Sequence, residues 1–270
     1  MKTLIQSKLN GGVRPTVYIS DIHGDISSLR RIKSLVEYHN SSYNWVFGGD
    51  YVDGEPYGLE VLDFIKHECD DGWAKAIMGN HDKMLLDFLR MPDSFNQRQY
   101  YMNGGKHTLK HMCGDIGYSA QRMSELIRGK YPDIVKWLGE LPTAIEDPYK
   151  LCVHAGVDLT LDDYHDTSEF DALWLRERYM YDEDGYQRDN LTGKVIVTGH
   201  TPTRFINGDA SCPVTLFPSD SNRYFIDGGE HALNRHLNVL VLDRKGNLEN
   251  VHTVGIDADA KKDGTIVTIR

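Results

Sequence analysis

Cysteine is scarce in this chain. The four present, Cys69, Cys113, Cys152 and Cys212, show no C-x-x-C spacing among 270 residues. That excludes a disulfide-dense scaffold and a paired-thiolate zinc site, and it predicts free, mostly buried thiols in a reducing, cytoplasmic setting. Positive charge is in deficit as well. Lys and Arg number 30 against 40 Asp and Glu, for a formal net charge of -10 and a pI near 5.6. A nonspecific duplex-binding surface needs phosphate-neutralising cations, so nucleic acid is not an expected partner. Anionic substrates stay open, because bound metal ions can reverse a local field. Long apolar runs are missing too. No stretch approaches the ~18 residues of a membrane span, and the opening M-K-T-L-I-Q-S-K-L-N, a polar leader, holds no apolar core of signal-peptide length. The expectation is a soluble protein with no membrane partner.

What is present is a recurrent figure. Residues 45–54 read W-V-F-G-G-D-Y-V-D-G, three apolar residues and two glycines followed by Asp50 and Asp53. A buried strand that ends in a site gives this pattern, with Asp50 at the C-terminal strand end, where open α/β sheets place ligands. The figure recurs as V-Y-I-S-D-I-H-G before it and as A-I-M-G-N-H-D, L-C-V-H-A-G and V-I-V-T-G-H-T-P after it. Five apolar runs therefore each end in Asp, Asn or His.

The length suits one domain. Pro15 to Asp21 reads as a strand, and Asp25 as the cap of a helix bearing Ile26, Leu29, Ile32, Leu35 and Val36. Asn44 to Asp50 is the next strand; Leu59, Leu62 and Ile65 mark a helix, and Ala74 to Met78 a third strand. This βαβαβ order predicts a mainly parallel sheet. Residues 82 to 140 read instead as an insertion of several short helices over the rim of the site, broken at Asn103-Gly104-Gly105 and Cys113-Gly114-Asp115. Thr143 to Ile145 and Leu151 to Val153 form a predicted hairpin, Asp171 to Met180 a helix, and Tyr181 to Gly193 an exposed loop or ribbon. Strands at Val195 to Thr198, Arg223 to Ile226, Leu237 to Leu242, Leu248 to Val254 and Thr265 to Ile269 predict a second sheet packed on the first.

Asp21, His23, Asp50, Asn80, His154 and His200 supply six oxygen and nitrogen ligands without a thiolate, a set suited to Mn, Fe or Zn. One ion with open substrate positions needs fewer. Two ions sharing a bridging carboxylate fit better, and Asp50 on the central strand is the expected bridge. Taken singly these residues have plainer uses: a strand-end aspartate caps a turn, and a histidine after a buried strand is a satisfied core residue. Their joint pattern is what points to metal. The acidic run Asp182 to Asp184 reads as a solvated loop. The histidines outside the figure read as structural or solvated, with His231 and His236 the exceptions to watch.

The motifs S-D-I-H-G, G-G-D-Y-V-D-G, G-N-H-D, V-H-A-G and G-H-T-P follow one another over residues 20 to 203. In that order they resemble the calcineurin-like metallophosphoesterases, and within them the phosphoprotein phosphatase branch with its bacterial and phage members. I-D-G-G at 226 to 229 and A-L-W-L-R-E-R-Y at 172 to 179 are similar to later segments of that branch. The resemblance implies an α/β fold, a four-layer αββα sandwich of two mixed β-sheets flanked by helices. It implies two divalent metal ions, Mn foremost, with Asp21, His23 and Asp50 on one and Asp50, Asn80, His154 and His200 on the other. A bridging water, activated as hydroxide, would then attack phosphorus directly. His81 resembles the family's general acid, Asp53 its orienting carboxylate, and Asn80 and Arg176 its phosphate-binding residues. Pro202 stands where nuclease and cyclic-nucleotide branches carry a second histidine in G-H-x-H, which favours a phosphatase.

The chain also departs from that pattern. Gly54 and Glu55 stand where relatives carry Arg and Gly in G-D-x-V-D-R-G, and Met78 stands where they carry Arg before G-N-H-E. Arg204, Lys83 and Arg90 are candidates to replace the charge. Arg176 reads as lying on a helix beside Glu177 and Arg178, so a surface ion-pair network competes with the phosphate-binding reading. The expected function is hydrolysis of phosphomonoesters, on phosphorylated Ser, Thr or Tyr of proteins. Hydrolysis of dinucleoside tetraphosphates is the alternative, and a catalytically weak metal-binding regulatory protein is a third reading. Oligomeric state is left open.

Overall fold

The structure, a computed structural model, describes residues 3–5, 14–39, 43–217, 222–229, 236–255, 261–262 and 267–268. Two mixed sheets form its centre. The first has the order β1 (Thr3–Ile5), β5 (Ala144–Glu146), β6 (Lys150–Val153), β7 (Val195–Thr198), β9 (Arg223–Phe225), β8 (Thr215–Phe217) and β13 (Val267–Thr268). The second has the order β12 (Lys261–Lys262), β11 (Leu248–Gly255), β10 (His236–Leu242), β2 (Thr16–Ile19), β3 (Asn44–Phe47) and β4 (Ala74–Ala76). In the second, β2, β3 and β4 run parallel, with Trp45 opposite both Val17 and Ala74. Helices α1 (Ile26–His39) and α2 (Gly58–Asp70) make the crossovers.

Alternation along the strands assigns the layers. Val17, Ile19, Trp45 and Phe47 face α1 and α2, whose Leu29, Ile32, Val61, Leu62 and Ile65 complete one core. The intervening Tyr18 and Val46 face the other sheet, where they meet Ile145, Cys152, Val197 and Tyr224. The outer face of that sheet presents Leu151, Val153, Ile196 and Phe225 to Ala172 of α8 (Glu169–Trp174) and to Tyr179 and Met180 of α9 (Glu177–Met180). Helix, sheet, sheet and helix give the four layers of the αββα sandwich. The predicted hairpin is present, with β5 and β6 antiparallel.

Several features differ from the sequence reading. Strands β10 and β11 do not join the second-half sheet: β10 pairs antiparallel with β2, and its Val239 and Val241 face the helical core while Leu240 and Leu242 face the inter-sheet core. An apolar run buried on both faces suits a central position in either sheet, so its pattern does not choose between them. The polar leader contributes β1, which pairs parallel with β5. The helix expected over Asp171 to Met180 is two short helices parted at Leu175 and Arg176, where Leu175 has ψ 137° and Arg176 has φ -132° and ψ -105°. The helical stretch begins at Asn80 with α3 (Asn80–Arg90) and continues through α4 (Ser94–Met102), α5 (Gly105–Cys113), α6 (Ala120–Lys130) and α7 (Pro132–Glu140). Of the strand expected at Thr265 to Ile269, only Val267 and Thr268 lie within the described residues; they pair parallel with β8. His231 lies outside them. Among the described residues no helix is long and apolar enough to cross a membrane.

Candidate metal centre

The five motifs end at one edge of the stacked sheets. Loops after β2 and β3 bring Asp21 and His23, and Asp50 and Asp53; the first turn of α3, after β4, brings Asn80 and His81; loops after β6 and β7 bring His154 and His200. Backbone hydrogen bonds lace these loops together. Asp21 N–H donates to the Gly49 carbonyl at 3.0 Å, His23 N–H to the Asp50 carbonyl at 2.9 Å, and Gly199 N–H to the His154 carbonyl at 2.9 Å. Asp21, His23, Asp50, Asp53 and His200 all hold left-handed backbone, with φ of 54, 48, 56, 71 and 64°. Such conformations cost roughly 1–3 kcal/mol each in non-glycine residues and persist only where the surroundings over-determine them. Gly79 permits a close approach: a Cβ there would lie 2.2 Å from both the backbone N and Oδ1 of Asp50.

Asp50 is the hub. Its Oδ1 accepts the His81 N–H at 2.9 Å, which turns Oδ2 toward His154 Nε2 at 3.4 Å and His23 Nε2 at 3.7 Å. Each of those histidines has its other nitrogen on a backbone carbonyl. His154 Nδ1 lies 2.9 Å from Gly48 O, and His23 Nδ1 lies 3.0 Å from Val52 O. A carbonyl only accepts, so the proton of each neutral ring sits on Nδ1 and Nε2 presents a lone pair. Asn80 Oδ1, another acceptor, lies 2.9 Å from both His154 Nε2 and His200 Nδ1. Lone pairs on nitrogen and oxygen thus converge on one another, an arrangement that a cation among them satisfies. Two ligands at ~2.1 Å from a shared ion and near a tetrahedral angle lie about 3.4 Å apart. The residues fit metal.

The electrostatics agree. Burial works against a charged His154, yet the Asp50 and Asp21 carboxylates raise its pKa to about 9, so the pocket stabilises positive charge where these groups meet. Burial, helped by His154 and Arg176, holds His200 well below its usual range and keeps it a neutral donor of lone pairs. His200 Nε2 is a buried nitrogen without a hydrogen-bond partner. Among the described residues two donor groups have ligand atoms within 4.8 Å of one another: His23, Asp50 and His81, and Asp50, His154 and His200. Asp50 belongs to both. Asp21 belongs to neither; its two carboxylate oxygens accept the His200 N–H at 3.0 and 3.1 Å, joining the two sheets' loops.

Beside the hub, His81 Nδ1 lies 2.8 Å from Asp53 Oδ2, and the two side chains are buried. Burial disfavours charge on His81, but Asp50 and then Asp53 outweigh it and raise the pKa to about 9. Arg176, freed from helical geometry by the break between α8 and α9, donates from Nη1 to the His200 carbonyl at 2.9 Å and to Thr201 Oγ1 at 3.2 Å. The surface ion pairs belong instead to Arg178, with Asp171 and Asp158. Lys83 is paired with Asp87, Arg204 stacks on Phe205, and Arg90 packs toward Gly139. His236 Nε2 lies 3.0 Å from the Cys212 carbonyl, a structural contact.

Sequence reasoning missed Asp82. Its fully buried carboxylate accepts the N–H groups of Asp50 at 2.8 Å, Tyr51 at 3.0 Å and Gly79 at 2.9 Å. The capping signal three residues after Gly79 was the visible trace of this anchor. Tyr100 and Thr108 also reach Asp53, and nothing local in their sequence marks them.

A family profile described as calcineurin-like phosphoesterase matches residues 14–234. The symmetrical bis(5'-nucleosyl)-tetraphosphatase of Methylococcus capsulatus is 27% identical over 141 residues, which are 52% of this chain and 42% of that protein. The chain spans between about a quarter and a half of the length of the curated relatives it matches. In fold it is similar to a protein serine/threonine phosphatase from Saccharomyces cerevisiae, with TM-score 0.58 and 14% identity over 97% of this chain and 86% of that one. It is similar also to the cold-active protein-tyrosine phosphatase of a psychrophilic Shewanella, with TM-score 0.52 and 18% identity over 94% and 82%. The profile covers most of the length, from β2 through β9, and every motif end it spans meets at one sheet edge; the chain belongs to the calcineurin-like phosphoesterase family.

Proposed function

We propose that this metal-dependent phosphoesterase hydrolyses phosphomonoesters, with phosphorylated Ser, Thr or Tyr of proteins as substrates. Asp21, His23 and Asp50 would hold one divalent ion, and Asp50, Asn80, His154 and His200 a second, with Mn foremost. Bound there, the ions would activate water for in-line attack on phosphorus. The chain's own contribution is to the leaving oxygen. His81, paired through Nδ1 with the buried Asp53 carboxylate, would hold a proton on Nε2 for delivery, while Asp53 fixes the ring.

That buried pair is the observation that carries the reading. An alkoxide departing from phosphorus is a poor leaving group and needs a proton, whereas a nucleoside diphosphate departing from an anhydride leaves with little help. A general acid held this firmly suits an ester. Arg176 would grip phosphate oxygens from beside His200. A groove of about 320 Å³ lined by Lys83, Gln99, Phe170 and Trp174 would take the rest of the substrate; Trp174 meets the His200 ring edge-on at 5.9 Å between centroids. The four free cysteines suit a reducing, cytoplasmic compartment.

A second reading, cleavage of dinucleoside tetraphosphates, draws support from the names of the curated relatives. Gly54 also favours it: its φ of 73° is a conformation where arginine would be strained, so a different polyanion geometry stands in place of that clamp. The deciding experiment offers Mn-loaded protein phosphopeptides and a dinucleoside tetraphosphate side by side, with a chelated control. Faster chelator-sensitive phosphate release from the peptides supports the phosphatase. Faster formation of nucleoside diphosphates overturns it in favour of the second reading.

A further inference from the structure

Asp53 is fully buried and both its carboxylate oxygens are engaged. Oδ1 accepts the Tyr100 hydroxyl at 2.8 Å and the Thr108 hydroxyl at 2.7 Å, leaving Oδ2 to face His81 Nδ1 at 2.8 Å. Thr108 does two things with one hydroxyl. Its Oγ1 also accepts the Asp53 backbone N–H at 2.9 Å, so it clamps both the carboxylate and the left-handed backbone that carries it. A hydroxyl has one proton, and here its direction is determined: Thr108 donates to Oδ1 because it accepts from N–H. Tyr100 likewise donates, since burial and the Asp53 charge keep its phenol protonated.

Both hydroxyls come from the short helices of the stretch first read as a cover over the rim. Tyr100 lies in α4, buried against Phe88 with ring centroids 5.9 Å apart, and Thr108 lies in α5. Neither side chain reaches the metal-ligand set; each acts on His81 only through Asp53. Two O–H donors on Oδ1 prevent the carboxylate from rotating, which fixes the ring plane of His81 and the direction of Nε2.

We propose that Tyr100 and Thr108 are positioning residues for the His81–Asp53 proton donor, so that α4 and α5 serve the reaction itself. The inference rests on the reading of His81 as general acid. Its test uses Mn-loaded protein and aryl phosphates that span good to poor leaving groups, from dinitrophenyl through nitrophenyl to phenyl. Tyr100→Phe removes one oxygen and keeps the ring. It should lower kcat on phenyl phosphate about tenfold, as loss of one hydrogen bond to a charged group does. On dinitrophenyl phosphate it should change kcat less than about twofold, with KM and Mn stoichiometry unaltered. Thr108→Val should show the same tilt and Thr108→Ser should restore the wild-type slope. In the His81→Asn background, Tyr100→Phe should have no added effect, because the two act as a unit.

Equal loss across all leaving groups in Tyr100→Phe, or full additivity with His81→Asn, would overturn the proposal. Should His81→Asn itself show no dependence on the leaving group, the general-acid reading falls and this inference with it. Should His81→Asn show the dependence and Tyr100→Phe not, only the inference about α4 falls. Thermal unfolding of each variant identifies a folding defect, and Thr108→Ser keeps the test alive should Thr108→Val not fold.

Discussion

The Asp50 backbone N–H donates to the buried Asp82 carboxylate at 2.8 Å, so the hub of the centre is held from behind by a residue with no exposed surface. The same carboxylate takes the N–H groups of Tyr51 and Gly79. In Asp82→Ala three buried donors lose their acceptor, and each unsatisfied group costs about 1–3 kcal/mol. A loss of about 3 kcal/mol or more in urea unfolding is expected. Asp82→Asn should fare little better, since its amide nitrogen would face an N–H. Mn stoichiometry should fall in both, because the left-handed turn that aims Asp50 loosens. Unchanged stability in Asp82→Ala would mean that this carboxylate is not the anchor.

Asp50 and His81 are separable by metal content. His81 lies among the donor atoms grouped with His23 and Asp50, so a ligand role competes with proton donation. Asp50→Asn should reduce bound Mn, measured by elemental analysis after desalting, and lower turnover by several orders of magnitude. His81→Asn should keep its Mn and lose roughly 10²–10⁴ in kcat on a poor leaving group, the span of general acid catalysis. Loss of one Mn per chain in His81→Asn would make the histidine a ligand.

The site was more legible in the sequence than the scaffold that tunes it. An apolar run that stops at a polar side chain is a local order, with glycine just before the side chain at Asp50, Asn80 and His200 and none at Asp21 and His154; hence the gathering of these five at one end of the sheets could be read in sequence. Which sheet a strand joins is not local. β10 is buried on both faces and its V-L-V-L run fits either sheet equally. The break at Leu175 and Arg176 carries no proline or glycine, so nothing signalled it, although it decides where Arg176 points. Tyr100 and Thr108 reach Asp53 from 47 and 55 residues away, and in their own helices they look like ordinary members of a helix face. The left-handed φ of the five site residues is equally silent, because aspartate and histidine, although enriched there, adopt that region only in a small minority of cases.

Arg176 should govern affinity more than chemistry. Its guanidinium is anchored on the His200 carbonyl and Thr201 with further donors to spare. Arg176→Ala should raise KM for phosphomonoesters roughly ten- to hundredfold, the worth of a charge-assisted hydrogen bond, and weaken inhibition by inorganic phosphate in step. Arg176→Lys should restore only part of this, since an ammonium lacks the planar fork. Equal KM in wild type and Arg176→Ala would return Arg176 to a purely structural role at the break between the helices.

A second charged cluster, remote from the motif loops, makes a prediction about acid stability. Glu146 accepts from Lys194 Nζ at 2.9 Å, from His165 Nε2 at 2.8 Å and from the Tyr164 hydroxyl at 3.0 Å. Burial raises its pKa, but Lys194, then His165 and Tyr164, outweigh this and hold it below the usual range. A carboxyl depressed in the folded state stabilises fully above its unfolded pKa of about 4.3 and loses that contribution as pH falls through the folded value. His165 is shifted the opposite way: burial lowers it, and Asp163 and Glu146 raise it to a greater extent. Its contribution is therefore complete below about 6.5 and fades as pH rises through the folded pKa. The Tm gap between wild type and Glu146→Gln should be widest between these limits, near pH 5 to 6. It should narrow steeply below about pH 4 and more gently toward alkaline pH as His165 discharges while Lys194 stays charged. A gap that stays constant from pH 3 to 8 would show that Glu146 acts by shape and hydrogen bonding alone.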